Sequence, residues 1–188
     1  MQELTISNRG LELGQQLSQW YAKMPALTHL GLDFEMRGDS HERSCISTWK
    51  VLAQARAIPT LKALIISQST CAIDLLDFTG FIAKHASSLE DLDIPHMHLY
   101  NGTLEDLGQL YDVLSQAPNM QVLHQNTLYL SDNLVEFPAQ ICCPITGTLM
   151  DEEDEEYVWV EHTNTISWKG HDEVAGVMAT MARHLRAE

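Results

Sequence analysis

Positive charge is scarce in this chain: 11 lysines and arginines stand against 26 aspartates and glutamates, a net charge of −15. Nucleic-acid binding draws most of its affinity from cations that neutralise phosphates. With no Lys/Arg cluster anywhere, nucleic acid and anionic membrane surfaces are both unsuitable partners. A protein partner, neutral or basic, is electrostatically easier. Long apolar runs are missing too. No stretch of ~18 apolar residues exists to cross a membrane, and residues 1–10 lack the basic-then-apolar order of a signal peptide. Cysteine is limited to Cys45, Cys71, Cys142 and Cys143. Their spacing is irregular and the last two are adjacent, a pairing with strained disulfide geometry. They read as reduced thiols of an intracellular protein, cytoplasmic or nuclear.

The motifs of common chemistries are absent as well. Nine histidines invite a metal reading, and His96-x-His98 has ligand-like spacing beside the soft sulfur of Cys142-Cys143. Yet there is no C-x-x-C and no H-E-x-x-H, whereas structural zinc takes its ligands in pairs. No G-x-S-x-G elbow supports a nucleophilic triad, and no G-x-G-x-x-G or P-loop cradles a phosphate. The expectation is no metal, no cofactor and no catalysis.

What is present is a repeated apolar phrase: an apolar residue, two variable positions, Leu, one variable position, then Ile or Leu. It reads Met1-Leu4-Ile6, Leu27-Leu30-Leu32, Leu61-Leu64-Ile66, Leu89-Leu92-Ile94 and a decayed Met120-Leu123 with Gln125 in the last slot. The starts lie 26 to 34 residues apart, a period typical of solenoids built from one strand and one helix per unit. Helical spacing precedes each later phrase. Leu13, Leu17, Trp20 and Met24 share one face, as do Val51, Leu52, Ala55 and Ile58, with Ser47 or Thr48 as N-cap. Leu75, Phe78 and Ile82 follow, then Leu107, Leu110, Tyr111 and Leu114 behind a Thr103/Asp106 capping-box variant. Pro25, Pro59 and Pro118 end three of these helices and turn the chain toward the strand.

The phrases Leu27-Thr28-His29-Leu30-Gly31-Leu32 and Leu89-Glu90-Asp91-Leu92-Asp93-Ile94 resemble leucine-rich repeats of the irregular, ribonuclease-inhibitor-like kind. Their variable spacing and proline-punctuated helices look most like the repeats that follow an F-box in many fungal substrate receptors. The resemblance covers residues 1–130. It implies an α/β solenoid arc with a parallel sheet, and protein recognition as the substrate-receptor part of a ubiquitin ligase component. The sequence departs from the pattern in two respects. The Asn or Cys that usually follows the strand is not consistently present. The F-box helices are absent, so adaptor binding does not carry over. The first phrase also enters a strand with no helix before it, which is expected either of a piece excised from a longer protein, the favoured reading, or of a first strand that pairs with another chain.

Residues 131–188 are expected to cap the last repeat. Residues 131–150 read as irregular, interrupted by Pro138, Pro144 and Gly147, and the six carboxylates at 151–156 as a solvated loop. Cys142-Cys143-Pro144-Ile145-Thr146-Gly147 resembles the opening of a U-box, but too little chain follows for that module. Tyr157–Val160 and Thr165–Trp168 suggest a hairpin around His162-Thr163-Asn164. A helix over 172–186 places Val174, Val177, Met178, Met181 and Leu185 on one face, with charges that complement its dipole.

Strand parity then defines a candidate site. If Leu30 and Leu32 point inward, 29, 31 and 33 point outward. Three lateral rows result: Glu3, His29, Ala63, Asp91, Val122; Thr5, Gly31, Ile65, Asp93, His124; and Ser7, Asp33, Ser67, Pro95, Asn126. The candidate partner-binding residues are His29, Asp33, Asp91, Asp93, His124 and Asn126. Asp93 and His124 are expected to face each other. Competing expectations are a small enzyme using His124, Asp93 or Cys142 in a cleft between arc and cap, and a purely structural domain of a larger protein.

Overall fold

The computed structural model describes residues 2–7, 23–33, 48–67, 72–131, 133–138, 142, 144–150, 156–162 and 166–187. Each later apolar phrase is launched by a turn. The amides of Leu27, Leu61 and Met120 donate to the carbonyls of Met24, Ile58 and Ala117, at 3.0, 3.1 and 3.4 Å. In each case the residue after the accepting carbonyl is proline (Pro25, Pro59, Pro118), whose fixed φ suits the second position of such a turn. The third phrase of this set differs: the Leu89 amide reaches one residue further back, to His85 O at 2.9 Å, and no proline stands there.

The residue after each phrase start then joins a ladder. Lys62 N–H donates to Thr28 O, Glu90 N–H to Lys62 O and Gln121 N–H to Glu90 O, at 2.8, 2.7 and 2.7 Å. Equivalent positions of successive phrases are therefore bonded to one another. Strands β1 (Gln2–Ser7), β2 (Leu27–Asp33), β3 (Ala63–Ser67), β5 (Asp91–Tyr100) and β6 (Val122–Leu130) follow, parallel and side by side in chain order. Short β4 (Ala72–Asp74) pairs with the far half of β5. β7 (Asn133–Leu134) pairs antiparallel with the end of β6.

Leucines of the phrases form the core. Leu27, Leu30, Leu61, Leu64, Leu89, Leu92 and Leu123 are fully buried. Helix α1 (residues 48–54) brings in Trp49, whose ring meets Phe78 and Phe81 edge-on at 5.0 and 5.7 Å. Both phenylalanines belong to α2 (Leu75–His85), capped by Asp74. Helix α3 (Leu104–Ser115) buries Leu107, Leu110, Tyr111 and Leu114 and carries the anticipated capping box of Thr103 and Asp106. Helix α4 (His171–Leu185) lies along α3, burying Val174, Val177, Met178, Met181 and Leu185 as its spacing predicts. Arg186 pairs with Asp112 across that contact. The fold is thus α/β, with helices on one face of an open, mostly parallel sheet.

β5 and β6 change facing together. Leu92 and Ile94 point inward, then Met97 and Leu99; on β6 the inward pairs are Leu123 and Gln125, then Leu128 and Leu130. An interval of three, not two, separates the halves on both strands, and the register stays continuous from Asp91↔Val122 to Leu99↔Leu130. Met97 and Leu128 thereby reach the core.

Several expectations are corrected. Residues 156–162 and 166–169 do not pair as a hairpin. β9 (Glu156–His162) pairs with β8 (Pro144–Met150), while β10 (Ile166–Lys169) runs antiparallel beside β6 in the main sheet. Residues 144–150, read as irregular, are strand. His96 and His98, noted for their ligand-like spacing, lie within β5, and His98 stacks on Tyr129 at 4.5 Å. Helix α1 stops before Ala55 and Ile58. Leu13, Leu17, Trp20 and residues 151–155 lie outside the described residues. Among the described residues no helix is long and apolar enough to cross a membrane.

Candidate binding face

The sheet face opposite the helices is built by the same alternation that buries the leucines. Its first row is in register as expected: Glu3, His29, Ala63, Asp91 and Val122 are successive partners. The second row, Thr5, Gly31, Ile65, Asp93 and His124, is continuous too, and β10 extends it with Ser167. In the third, Ser7, Asp33 and Ser67 are partners. All six candidate residues, His29, Asp33, Asp91, Asp93, His124 and Asn126, are half-buried. Asp93 and His124 are direct register partners on adjacent strands, yet no hydrogen bond joins them among the described residues.

Small residues shape this face. Ala63 stands between His29 and Asp91, so the His29 ring acts across it on the Asp91 carboxylate. Gly31 leaves room for Thr5; a Cβ there would sit 3.1 Å from the Thr5 hydroxyl. Ile65 remains 37% exposed in the middle of the sheet, an apolar spot among polar neighbours.

The electrostatics favour a donor-bearing occupant. Burial, then the neighbouring Asp93, raises the Asp91 pKa above its ordinary value, and His29 opposes them. Among the described residues, Asp33 Oδ1, Asp93 Oδ1 and Asn126 Oδ1 are each buried and have no hydrogen-bond partner. Buried acceptors are nearly always paired, so three orphans on one face are unusual. Lys169, in register with Val122, is exposed at the β10 margin. The arrangement can accept N–H donors from a partner.

Sequence parity missed Ser167 and Lys169 because β10's place in the sheet is a long-range pairing. The inward pair Ile166 and Trp168 was the available signal. The metal and enzyme readings find different surroundings. Among the described residues no group of three His, Cys, Asp or Glu gathers to hold an ion. Cys142 is buried with Sγ facing Phe137 O at 3.6 Å. A cavity of about 500 Å³ opens where β5 and β6 end, lined by Gly102, Leu104, Leu130, Ser131, Leu134 and Glu136 among others. Neither Asp93 nor His124 lines it.

No family model, no curated protein and no solved structure matches this chain.

Proposed function

We propose that residues 1–130 form an irregular leucine-rich-repeat arc, that 131–188 cap it, and that the chain is a protein-recognition module without bond chemistry. The repeat reading is supported by two recurrences that a chance α/β domain has no reason to contain. Turns close on equivalent residues at 24, 58 and 117, and the backbone ladder joins equivalent positions 28, 62, 90 and 121. Met97 and Leu128 occupy the slot where such repeats usually place Asn or Cys, which accounts for the missing motif: here the slot is filled by packing.

The single observation that carries the functional reading is the set of three buried, unpartnered oxygens on the outward face. Leaving an acceptor desolvated and unpaired costs about 1–3 kcal/mol. A partner's N–H groups recover that cost, and solenoids use this face for recognition. With net charge −15 the occupant is a basic protein segment. The resemblance to fungal F-box proteins makes it a substrate captured for ubiquitin ligation. The test is to identify the proteins retained from cell extract on the immobilised chain, then map one retained protein's footprint by amide exchange. Slowed exchange in β2, β3 and the first halves of β5 and β6 supports the reading. A footprint confined to α3 and α4 overturns it.

A further inference from the structure

The exit of β5 carries the sequence's one Asn-Gly pair, Asn101-Gly102, and the fold holds both residues there for separate reasons. Asn101 adopts φ 56°, a left-handed conformation that asparagine tolerates better than most residues. It is exposed, and its Nδ2 donates to Asp74 Oδ2 at 2.8 Å, tying the end of β5 to the cap of α2. Gly102 is fixed by packing: a Cβ would lie 2.5 Å from Leu75 Cδ2, and Leu75 is fully buried. The peptide nitrogen after Asn101 therefore belongs to a residue without a side chain to shield it.

We infer that Asn101-Gly102 is a self-modifying site, at which the Gly102 peptide nitrogen attacks the Asn101 side-chain carbonyl and water completes the conversion to a carboxylate. The N–Cγ bond forms as the Cγ–Nδ2 bond breaks. The nitrogen's proton leaves with the amide as ammonia, giving a five-membered succinimide. Water then opens one of its two carbonyls, yielding aspartate or isoaspartate, and no oxidant or reductant is consumed. The reaction converts a donor at position 101 into an anion facing Asp74.

Its structural consequence follows from what Asp74 already does. Asp74 Oδ1 accepts from the Leu76 and Asp77 amides at 3.0 Å each, closing the first turn of α2. The ground there is already negative: the Tyr100 hydroxyl is pushed up to about 12 by burial, then by Asp74 and Asp77. A further carboxylate repels Asp74, removes the bridge and loosens the β5 exit from α2. Isoaspartate also inserts a methylene into the backbone two residues before the Thr103 cap of α3. Conversion is a slow, one-way change that adds one negative charge.

The experiment incubates the full chain in mildly alkaline buffer and follows each asparagine by peptide mapping for the one-dalton gain and for isoaspartate. Asn101 is expected to convert at least several times faster than Asn119 in the same molecule, and an Asn101→Gln chain to show no gain in that peptide. Equal rates at Asn101 and Asn119 overturn the proposal. Asn101→Asp should unfold at lower temperature than the parent, with a smaller penalty in an Asp74→Asn background, where asparagine still caps. An equal penalty in both backgrounds overturns the repulsion with Asp74.

Discussion

The Tyr111 hydroxyl donates to Gln125 Oε1 at 2.8 Å, deep between α3 and β6. Gln125 is 1% exposed and stands where the other phrases carry Leu or Ile. The decayed phrase is therefore a substituted one: a polar side chain occupies a core slot because a tyrosine from the covering helix meets it. Burial pushes the Tyr111 hydroxyl well above its ordinary pKa of 10, and the Gln125 bond opposes the shift. Tyr111 is thus a neutral donor at all ordinary pH.

Breaking that pair from one side should cost more than removing it whole. Tyr111→Phe leaves Gln125 Oε1 unpaired beside an Nε2 that already lacks a partner, an expected loss of about 1–3 kcal/mol. Gln125→Leu restores the apolar phrase but strands the tyrosine hydroxyl. The double variant should recover most of the loss, so urea unfolding should give a total well below the sum of the singles.

His85 should make stability fall with acid. Its Nε2 accepts from Ile58 N–H at 3.1 Å, which fixes the proton on Nδ1, facing Phe81 O at 2.8 Å. Burial lowers its pKa below 6.5; the Phe81 carbonyl opposes this and Lys84 adds to it. A histidine with a depressed folded pKa gives stability that is present above 6.5 and lost as pH falls from there toward the folded value. Denaturant unfolding across that window should show a steeper decline for the parent than for His85→Gln.

Asp91 has the opposite linkage. Its raised folded pKa means that the contribution favouring folding is full below 3.8 and lost as pH rises through the folded value. Asp91→Asn should therefore raise the thermal midpoint slightly at neutral pH, with the gain vanishing in acid. The same substitution should weaken capture of a basic partner. An acidic pair kept at a cost in stability is what a binding face requires.

Gly102→Ala should be destabilising by about 1–3 kcal/mol, because the new methyl overlaps the side chain of the fully buried Leu75. Gly80→Ala, with open space around the added methyl, is the control and should be neutral or stabilising. Thermal melts of the two variants separate packing from helix propensity.

Much of the strand layer was legible because its information is local. A phrase with Leu at fixed intervals sets which side chains face inward, and a proline two residues ahead of three of the phrases sets where the strand begins. That is why the rows through Asp91 and Asp93 emerge in register from parity alone. What escaped depends on distant pairing. Nothing near 156–169 announces that β9 joins β8 while β10 joins β6, since both partners lie elsewhere in the chain. The shared change of facing in β5 and β6 was hidden as well, because Met97 and Leu128 lack the polar signature expected in that slot. The length of β5 was hidden for the same reason: it continues past Pro95, and the parity of its first half does not extend to the second. The orphan oxygens of Asp33, Asp93 and Asn126 are a three-dimensional fact, since burial of a single atom has no sequence signal.

The most direct test of recognition by the outward face is charge reversal on it, compared with the same change on the helix side. Asp91→Lys with Asp93→Lys should abolish retention of the partner found by extract capture while shifting the thermal midpoint little. Glu105→Lys, on the exposed face of α3, should retain the partner as the parent does. Retention that survives reversal at Asp91 and Asp93, or is lost through Glu105 instead, would contradict the account.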